Sequence, residues 1–230
     1  MQFSLNRNQK IYTAAFLLIE LVLYGLILTT GGDVLVWSSF ISIAVCFLYA
    51  LTQIRTGDLF IIGGLACTLA ADYFLVICSP IQQLNGMTCF LMAQALYAIR
   101  LHRENPNRVI LLVRRGVTVA AIIAAALILR NKADPLAVIS LCYYVNLIMN
   151  IISAFTQFKV NKLLPIGLIL FLLCDTVIGL QMACGVYLPI PEDSLIYKII
   201  FMDFHLSWFF YLPSQVIIAL HSNAERGTKQ

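Results

Sequence analysis

The chain contains eight mainly apolar runs, and each of them is long enough to cross a membrane as a helix. The runs cover residues 11–30, 34–54, 59–78, 84–101, 110–129, 135–156, 163–184 and 199–220. A hydrocarbon core of about 30 Å requires roughly 20 apolar residues per helix, and only helices or closed barrels satisfy their backbone groups in lipid. The runs therefore predict an all-α polytopic membrane protein, with residues 1–230 forming one domain built as a bundle of eight transmembrane helices.

The composition agrees with a membrane protein and argues against several other classes. Hydrophobic residues make up 61% of the chain and charged residues only 11%, which is unlike a soluble domain. A net charge of +4 leaves no compact basic and aromatic surface for nucleic acid. Seven cysteines without a Cys-x-x-Cys pair and three scattered histidines indicate no metal site. We expect bilayer lipid as the surroundings and no cofactor, and the oligomeric state stays open.

Basic residues near the ends of the apolar runs predict the orientation of the protein. Twelve of them fall on one side of the predicted bundle and three on the other. The larger set comprises Arg7, Lys10, Arg55, Arg100, Arg103, Arg108, Arg114, Arg115, Lys159, Lys162, Arg226 and Lys229, and the smaller set comprises Arg130, Lys132 and Lys198. Because cytoplasmic loops are enriched in Lys and Arg, we predict both termini in the cytoplasm and residence in the plasma (inner) membrane. Arg114 and Arg115 either snorkel to the cytoplasmic surface or mark the true start of the fifth helix.

Two of the apolar runs contain a segment that ends on a carboxylate inside the predicted membrane. The segments Gly64-Leu-Ala-Cys-Thr-Leu-Ala-Ala-Asp72 and Gly167-Leu-Ile-Leu-Phe-Leu-Leu-Cys-Asp175 share Gly-Leu at the front and Asp eight residues after Gly. The acids lie thirteen and twelve residues from the predicted inner ends of their helices, so their depths differ by about 1.5 Å. A carboxylate in a span costs at least ~2.5 to 3.5 kcal/mol. The pair therefore predicts a functional site.

Lys and Arg are missing from the middle of the predicted helices, so neither acid has an obvious cationic partner. Two carboxyl groups that lie close together in a low dielectric share a proton. Such a pair supplies a general acid and an anionic partner.

A second internal similarity, between Ala93-Gln94-Ala-Leu-Tyr97 and Ser214-Gln215-Val-Ile-Ile, suggests a four-plus-four parallel repeat with its site between the halves.

Polar residues within the runs recur at helical spacing and therefore share faces of their helices. The longest such face is in the sixth run, with Tyr143, Asn146, Asn150, Ser153 and Gln157. Other runs contribute Glu20 and Tyr24, Ser38, Ser42 and Tyr49, Gln94 and Tyr97, and Asp203, Ser207, Tyr211 and Gln215. These faces predict a shared interior cavity. The alternative is interhelical hydrogen bonding, at ~0.6 kcal/mol per bond.

In order and spacing these motifs resemble the lysoplasmalogenase family, the YhhN-like membrane hydrolases with eight spans. The first matching block runs from Gly64 through Asp72-Tyr-Phe-Leu and continues with Phe90-Leu-Met-Ala-Gln94-Ala-Leu-Tyr97. The second comprises Gly167 to Asp175 and then Tyr211-Leu-Pro-Ser-Gln215-Val-Ile-Ile-Ala-Leu. The chain departs from the family pattern at Ala71 and Gln94, where Gly and His are common.

The resemblance implies a lysophospholipid substrate and hydrolysis of the vinyl-ether bond of lysoplasmalogens to a fatty aldehyde and a glycerophospho-alcohol. Asp72 and Asp175 are then the catalytic acid and the stabilising base, in either order. The candidates to orient water or lipid are Gln94, Tyr97, Asn146, Asn150, Tyr211 and Gln215. Two other interpretations stay open: a proton-coupled or small-molecule transporter, and a non-catalytic family member whose acids only hold helices together.

Overall fold

A computed structural model describes residues 7–55, 57–129, 135–158, 162–185 and 188–222. Within these ranges the chain forms nine α-helices and no β-strand, apart from one isolated bridge. The helices are α1 (Arg7–Thr29), α2 (Gly32–Thr52), α3 (Leu59–Asp72), α4 (Gln83–Glu104), α5 (Arg108–Leu129), α6 (Pro135–Phe155), α7 (Leu163–Ala183), α8 (Leu195–Ile200) and α9 (Leu206–His221). The all-α prediction is confirmed for this part of the chain.

Five of the described helices are long and apolar enough to cross a membrane. They are Gln9–Thr29, Gly32–Thr52, Leu59–Ile77, Pro135–Phe155 and Leu163–Ala183, and Leu206–His221 is a shorter apolar helix. The protein is therefore an integral membrane protein, while the count of eight spans stays a prediction. The orientation also stays a prediction, because five of the basic residues on which it depends lie outside the described residues: Arg130, Lys132, Lys159, Arg226 and Lys229.

The last predicted run, 199–220, is interrupted. Helix α8 ends at Ile200 and α9 begins at Leu206, so the polar residues Asp203 and His205 lie in a short non-helical connection. His205 Nε2 lies 3.0 Å from the backbone oxygen of Thr30, at the turn between α1 and α2. Asp203 consequently precedes α9 and does not continue the helical face of Tyr211 and Gln215.

Helix α3 changes its winding directly after its carboxylate. Asp72 is the last α-helical residue, and Tyr73–Ile77 form a π-helical turn. Such turns are rare and frequently accompany functional sites, because they rotate the side chains that follow out of the α-helical register. The predicted helix over 59–78 is thus observed as Leu59–Ile77, with a widened last turn.

The glycines at the start of both matching motifs allow neighbouring helices to approach closely. A Cβ atom at Gly64 would lie 2.1 Å from the ring of Tyr97 on α4, and one at Gly167 would lie 2.9 Å from Ile218 on α9. The pairs α3 with α4 and α7 with α9 are in fact the most closely packed. Each acid-bearing helix is therefore held against one partner helix by its glycine. The four-plus-four repeat itself stays a prediction.

Candidate active site

The carboxylate of Asp72 is buried at the end of α3 and is bound by a tyrosine from α9. Its side chain is 3% exposed, and Tyr211 donates a hydrogen bond from Oη to Asp72 Oδ2 at 2.8 Å. Tyr211 is itself buried, so both groups lie in the interior of the bundle. The close packing of α9 on α7, which Gly167 permits, positions this tyrosine.

Asp175 on α7 has an equivalent partner on α6. The hydroxyl of Tyr143 donates a short hydrogen bond to Asp175 Oδ2. The next residue, Tyr144, bonds to Thr176 Oγ1 at 2.8 Å, so two adjacent tyrosines connect α6 to α7. Asp175 is half-buried, in contrast to Asp72. The two carboxyl groups therefore share one type of donor but differ in access.

Four aromatic rings join the two carboxylate sites. Phe90 of α4 packs against Tyr143 and Tyr211, with ring centroids 5.7 and 6.4 Å apart. Phe171 of α7 contacts the same two tyrosines at 6.3 and 5.4 Å. The two tyrosines that bind the acids thus share one aromatic wall, and the action of the acids as a catalytic pair stays a prediction.

The interior of the bundle contains a third buried acid. Glu20 on α1 is 3% exposed, and it accepts hydrogen bonds from Ser42 Oγ at 2.6 Å and from Cys46 Sγ at 3.4 Å. Helices α1 and α2 therefore contribute a neutral hydrogen-bonded shell and one more carboxyl group. Among the described residues, no group of three His, Cys, Asp or Glu is arranged to hold a metal ion.

The two glutamines of the site motifs are completely buried and only partly hydrogen-bonded. Gln94 Oε1 accepts from Asn150 Nδ2 at 2.8 Å, and Gln215 Nε2 donates to Ser214 Oγ at 3.2 Å. Gln94 Nε2 and Gln215 Oε1 have no partner within the described part of the chain. Buried polar atoms of this kind are usually satisfied by water or ligand. Tyr97 is buried beside Gly64 and completes the polar face of α4.

The structure does not bring Asn146 and Asn150 to the carboxylates. Both amide oxygens accept hydrogen bonds from the guanidinium of Arg114 on α5, at 3.1 and 2.8 Å. Arg114 is half-buried and bonds to α6, whereas Arg115 is exposed. Since α5 begins at Arg108, the alternative that these arginines mark the start of the fifth helix is wrong, and their snorkelling stays a prediction. The polar face of α6 therefore has two parts: Tyr143 at the carboxylates and the asparagines at Arg114.

Tyr143 is the site residue that sequence reasoning did not place. Its membership of the polar face of α6 was visible, but nothing in the spacing distinguished it from the asparagines on the same face. The aromatic wall formed by Phe90 and Phe171 had no sequence signal, because apolar rings inside an apolar run do not differ from lipid-facing ones. To place Tyr143 and the two phenylalanines at the site, one must know which helices pack against each other.

This combination of fold and site defines a class: a helical integral membrane protein with a pair of interior carboxyl groups, each bound by a tyrosine. A model of the YhhN family matches residues 37–222. The match covers most of the chain and includes both acids and both tyrosines, so the chain belongs to the YhhN family. No curated protein and no solved structure shows significant similarity to it.

Proposed function

We propose that the protein is a membrane-embedded hydrolase that cleaves the vinyl-ether bond of lysoplasmalogen-like lysophospholipids. The observation that supports this most directly is the pair Asp72 and Asp175, whose partners Tyr211 and Tyr143 pack against the same two phenylalanine rings. Membership of the YhhN family is compatible with a hydrolase. In this proposal the protein resides in the plasma (inner) membrane as eight spans, with both termini in the cytoplasm.

Vinyl-ether hydrolysis requires the groups that this site offers. One carboxyl group delivers its proton to the alkenyl carbon that is β to the ether oxygen, and the C=C electron pair forms the new C–H bond. The resulting oxocarbenium ion is stabilised by the neighbouring carboxylate, as in glycoside cleavage by two carboxylates. That carboxylate then takes a proton from the water molecule that adds to the cation.

The product of water addition is a hemiacetal, which breaks its bond to the glycerol oxygen. That oxygen gains the proton lost from the hemiacetal hydroxyl, and the products are a fatty aldehyde and a glycerophospho-alcohol. Asp72 and Asp175 are the catalytic residues in this scheme, in either order. The unpartnered atoms Gln94 Nε2 and Gln215 Oε1 and the buried hydroxyl of Tyr97 are suited to orient the water.

The experiment that tests this function compares two lipids in detergent or nanodiscs: a 1-alkenyl lysophospholipid and its saturated 1-alkyl analogue. We expect aldehyde only from the alkenyl lipid. In D₂O the aldehyde should carry one deuterium on the carbon next to the carbonyl, because the enzyme protonates that carbon. Release of fatty acid from a 1-acyl lysophospholipid without any aldehyde, or no turnover at all, would contradict the proposal.

A transporter is the second candidate, and a specific observation favours it. Glu20, Asp72 and Asp175 all lie inside the bundle and none of them has a cationic partner among the described residues. Interior acids of this kind serve as proton relays in membrane transporters. Substrate-dependent proton flux into liposomes without aldehyde formation would favour this candidate over the hydrolase.

The tyrosines should contribute a measurable part of the rate. Replacing Tyr143 or Tyr211 with Phe removes the hydroxyl donor of one carboxylate, and such hydrogen bonds are worth about 1.5 to 3 kcal/mol. We expect kcat for aldehyde release to fall by about 10- to 100-fold. Tyr144→Phe is the matched control, since Tyr144 is the next residue on α6 and bonds to Thr176 instead of an acid. Equal losses in all three variants would contradict a role for the two carboxylate-bound tyrosines.

A further inference from the structure

A cavity of about 210 Å³ lies between α4, α5 and α6. Its lining combines apolar residues with charged and polar ones, among them Arg114, His102, Arg103, Asn107, Ser153 and Gln157. The described lining contains no Asp or Glu. The acidic residue nearest in sequence, Glu104, is paired with Arg100 at 2.9 Å. The charged residues of the described lining are therefore all cations, set among apolar side chains.

Arg114 is the half-buried cation of this cavity. Its three hydrogen bonds go to Asn146 Oδ1 at 3.1 Å, Asn150 Oδ1 at 2.8 Å and Ser153 Oγ at 3.4 Å. All three acceptors are neutral, and Arg114 forms no ion pair within the described ranges. A guanidinium has five N–H donors, so donors remain for a ligand. The neutral acceptors position the guanidinium and leave its charge without a counter-ion in the described part of the chain.

An uncompensated guanidinium with free donors is suited to a phosphate group. Arg binds phosphate and carboxylate in a bidentate manner, and a half-buried charge gains more from an anion than an exposed one does. His102 and Arg103 add positive or polar groups at the same cavity. A cation without a counter-ion inside a membrane protein is also costly, so an anionic ligand would offset that cost.

We propose that this cavity binds the phosphate of the lysophospholipid head group, with Arg114 as the principal ligand. The inference rests on the proposed function, because it places two parts of one substrate. Along α6, Tyr143 at the carboxylates is separated from Asn146 and Asn150 at Arg114 by about 5 to 10 Å of helical rise. A three-carbon glycerol unit between an ether oxygen and a phosphate spans a comparable length.

Hydrogen bonds through Asn150 connect the cavity to Gln94, a residue of the site motifs. Asn150 accepts from Arg114 and donates through Nδ2 to both the backbone oxygen and Oε1 of Gln94, each at 2.8 Å. Gln94 shares the buried face of α4 with Phe90, which packs on the tyrosines of both acids. The phosphate and the alkenyl chain would thus lie on either side of the Gln94–Asn150 contact. In this arrangement Asn146 and Asn150 act on substrate through Arg114.

The test measures binding of a saturated 1-alkyl lysophospholipid, which the proposed reaction does not cleave, to purified protein. Arg114→Gln should weaken binding by about 10- to 100-fold, while Arg115→Gln, at the exposed next residue, should leave it unchanged. Gln157→Glu is a second variant, which places a carboxylate in the cavity and should weaken binding in the same direction. A 1-O-alkylglycerol, which lacks phosphate, should bind equally to all of these variants.

Further arms separate lipid from free anion and binding from catalysis. Inorganic phosphate and glycerophosphoethanolamine are added as competitors, and we expect the second to compete better because it contains the head group. Alkyl lysophospholipid binding that is unaffected by both Arg114→Gln and Gln157→Glu would overturn the proposal, even if inorganic phosphate bound at Arg114. Since the probe is not cleaved, the absence of aldehyde release would refute the hydrolase without altering these binding results.

Discussion

Replacing either Asp72 or Asp175 with Asn should lower the rate of aldehyde release by about 10²- to 10⁴-fold. Asn has nearly the same shape as Asp and still accepts a hydrogen bond from Tyr211 or Tyr143, but it can neither deliver a proton to carbon nor stabilise a cation with a negative charge. Binding of the uncleaved 1-alkyl lipid should change little, because the lost interactions belong to the transition state. The measurement is kcat and KM for a 1-alkenyl lysophospholipid.

Two control variants separate this effect from a general loss of structure. Asp33→Asn changes an exposed acid in the first turn of α2 and should leave the rate unchanged. Glu20→Gln changes the third interior acid, which Ser42 and Cys46 hold, and should cost less than either aspartate variant. Unchanged turnover in Asp72→Asn or Asp175→Asn would refute the assignment. Loss of thermal stability alone, with kcat retained, would mean that the acids hold helices together.

The helices could be predicted closely from the sequence because the bilayer imposes their length. The run 135–156 is observed as Pro135–Phe155 and the run 163–184 as Leu163–Ala183. The prediction of one helix over 199–220 was wrong, because α8 ends at Ile200 and α9 begins at Leu206. The average hydropathy of the run does not show that Asp203 and His205 lie in a non-helical connection. Length and apolarity thus predict that a segment is helical, and they do not exclude a local break.

The carboxylates of the site could be predicted from the sequence because a charged residue inside a membrane span is unusual. Contacts that depend on which helices are neighbours could not be predicted. Asp72 and Asp175 stood out because an interior carboxylate is costly in any arrangement. The periodicity of Tyr143, Asn146 and Asn150 identified a polar face of α6 correctly. It did not show that Tyr143 meets α7 while the asparagines meet Arg114 on α5, since periodicity contains no information about the opposing helix.

Arg100 is a further residue whose contacts could not be predicted from the sequence, and its contacts matter for the stability of the fold. From the sequence it counted as one of the basic residues at the cytoplasmic ends of the helices. In the structure its side chain is 1% exposed, and it pairs with Asp58 at 3.0 Å and with Glu104 at 2.9 Å. Asp58 also accepts a hydrogen bond from Phe60 N at 2.7 Å as the N-cap of α3. One buried ion pair therefore joins the end of α4 to the start of the helix that contains Asp72.

Removing one partner of this pair should destabilise the fold strongly. Asp58→Asn removes the buried counter-ion of the Arg100 guanidinium, and breaking a buried pair in this way costs about 3 to 5 kcal/mol. Arg103→Gln is the matched control on the same helix. Arg103 is exposed, and its contact with the Phe60 ring at 5.0 Å is worth only about 0.5 to 1 kcal/mol. The measurement is the free energy of unfolding in mixed detergent micelles.

A double-mutant cycle shows whether the loss comes from the unpaired charge. Arg100→Met in the Asp58→Asn background removes that charge and should recover part of the lost free energy of unfolding, while the substituted amide side chain still caps α3. An additive cycle, in which the second substitution recovers nothing, would contradict the buried-charge explanation and would assign the loss to packing. Because α3 begins at this pair and ends at Asp72, Asp58→Asn should also lower kcat for aldehyde release.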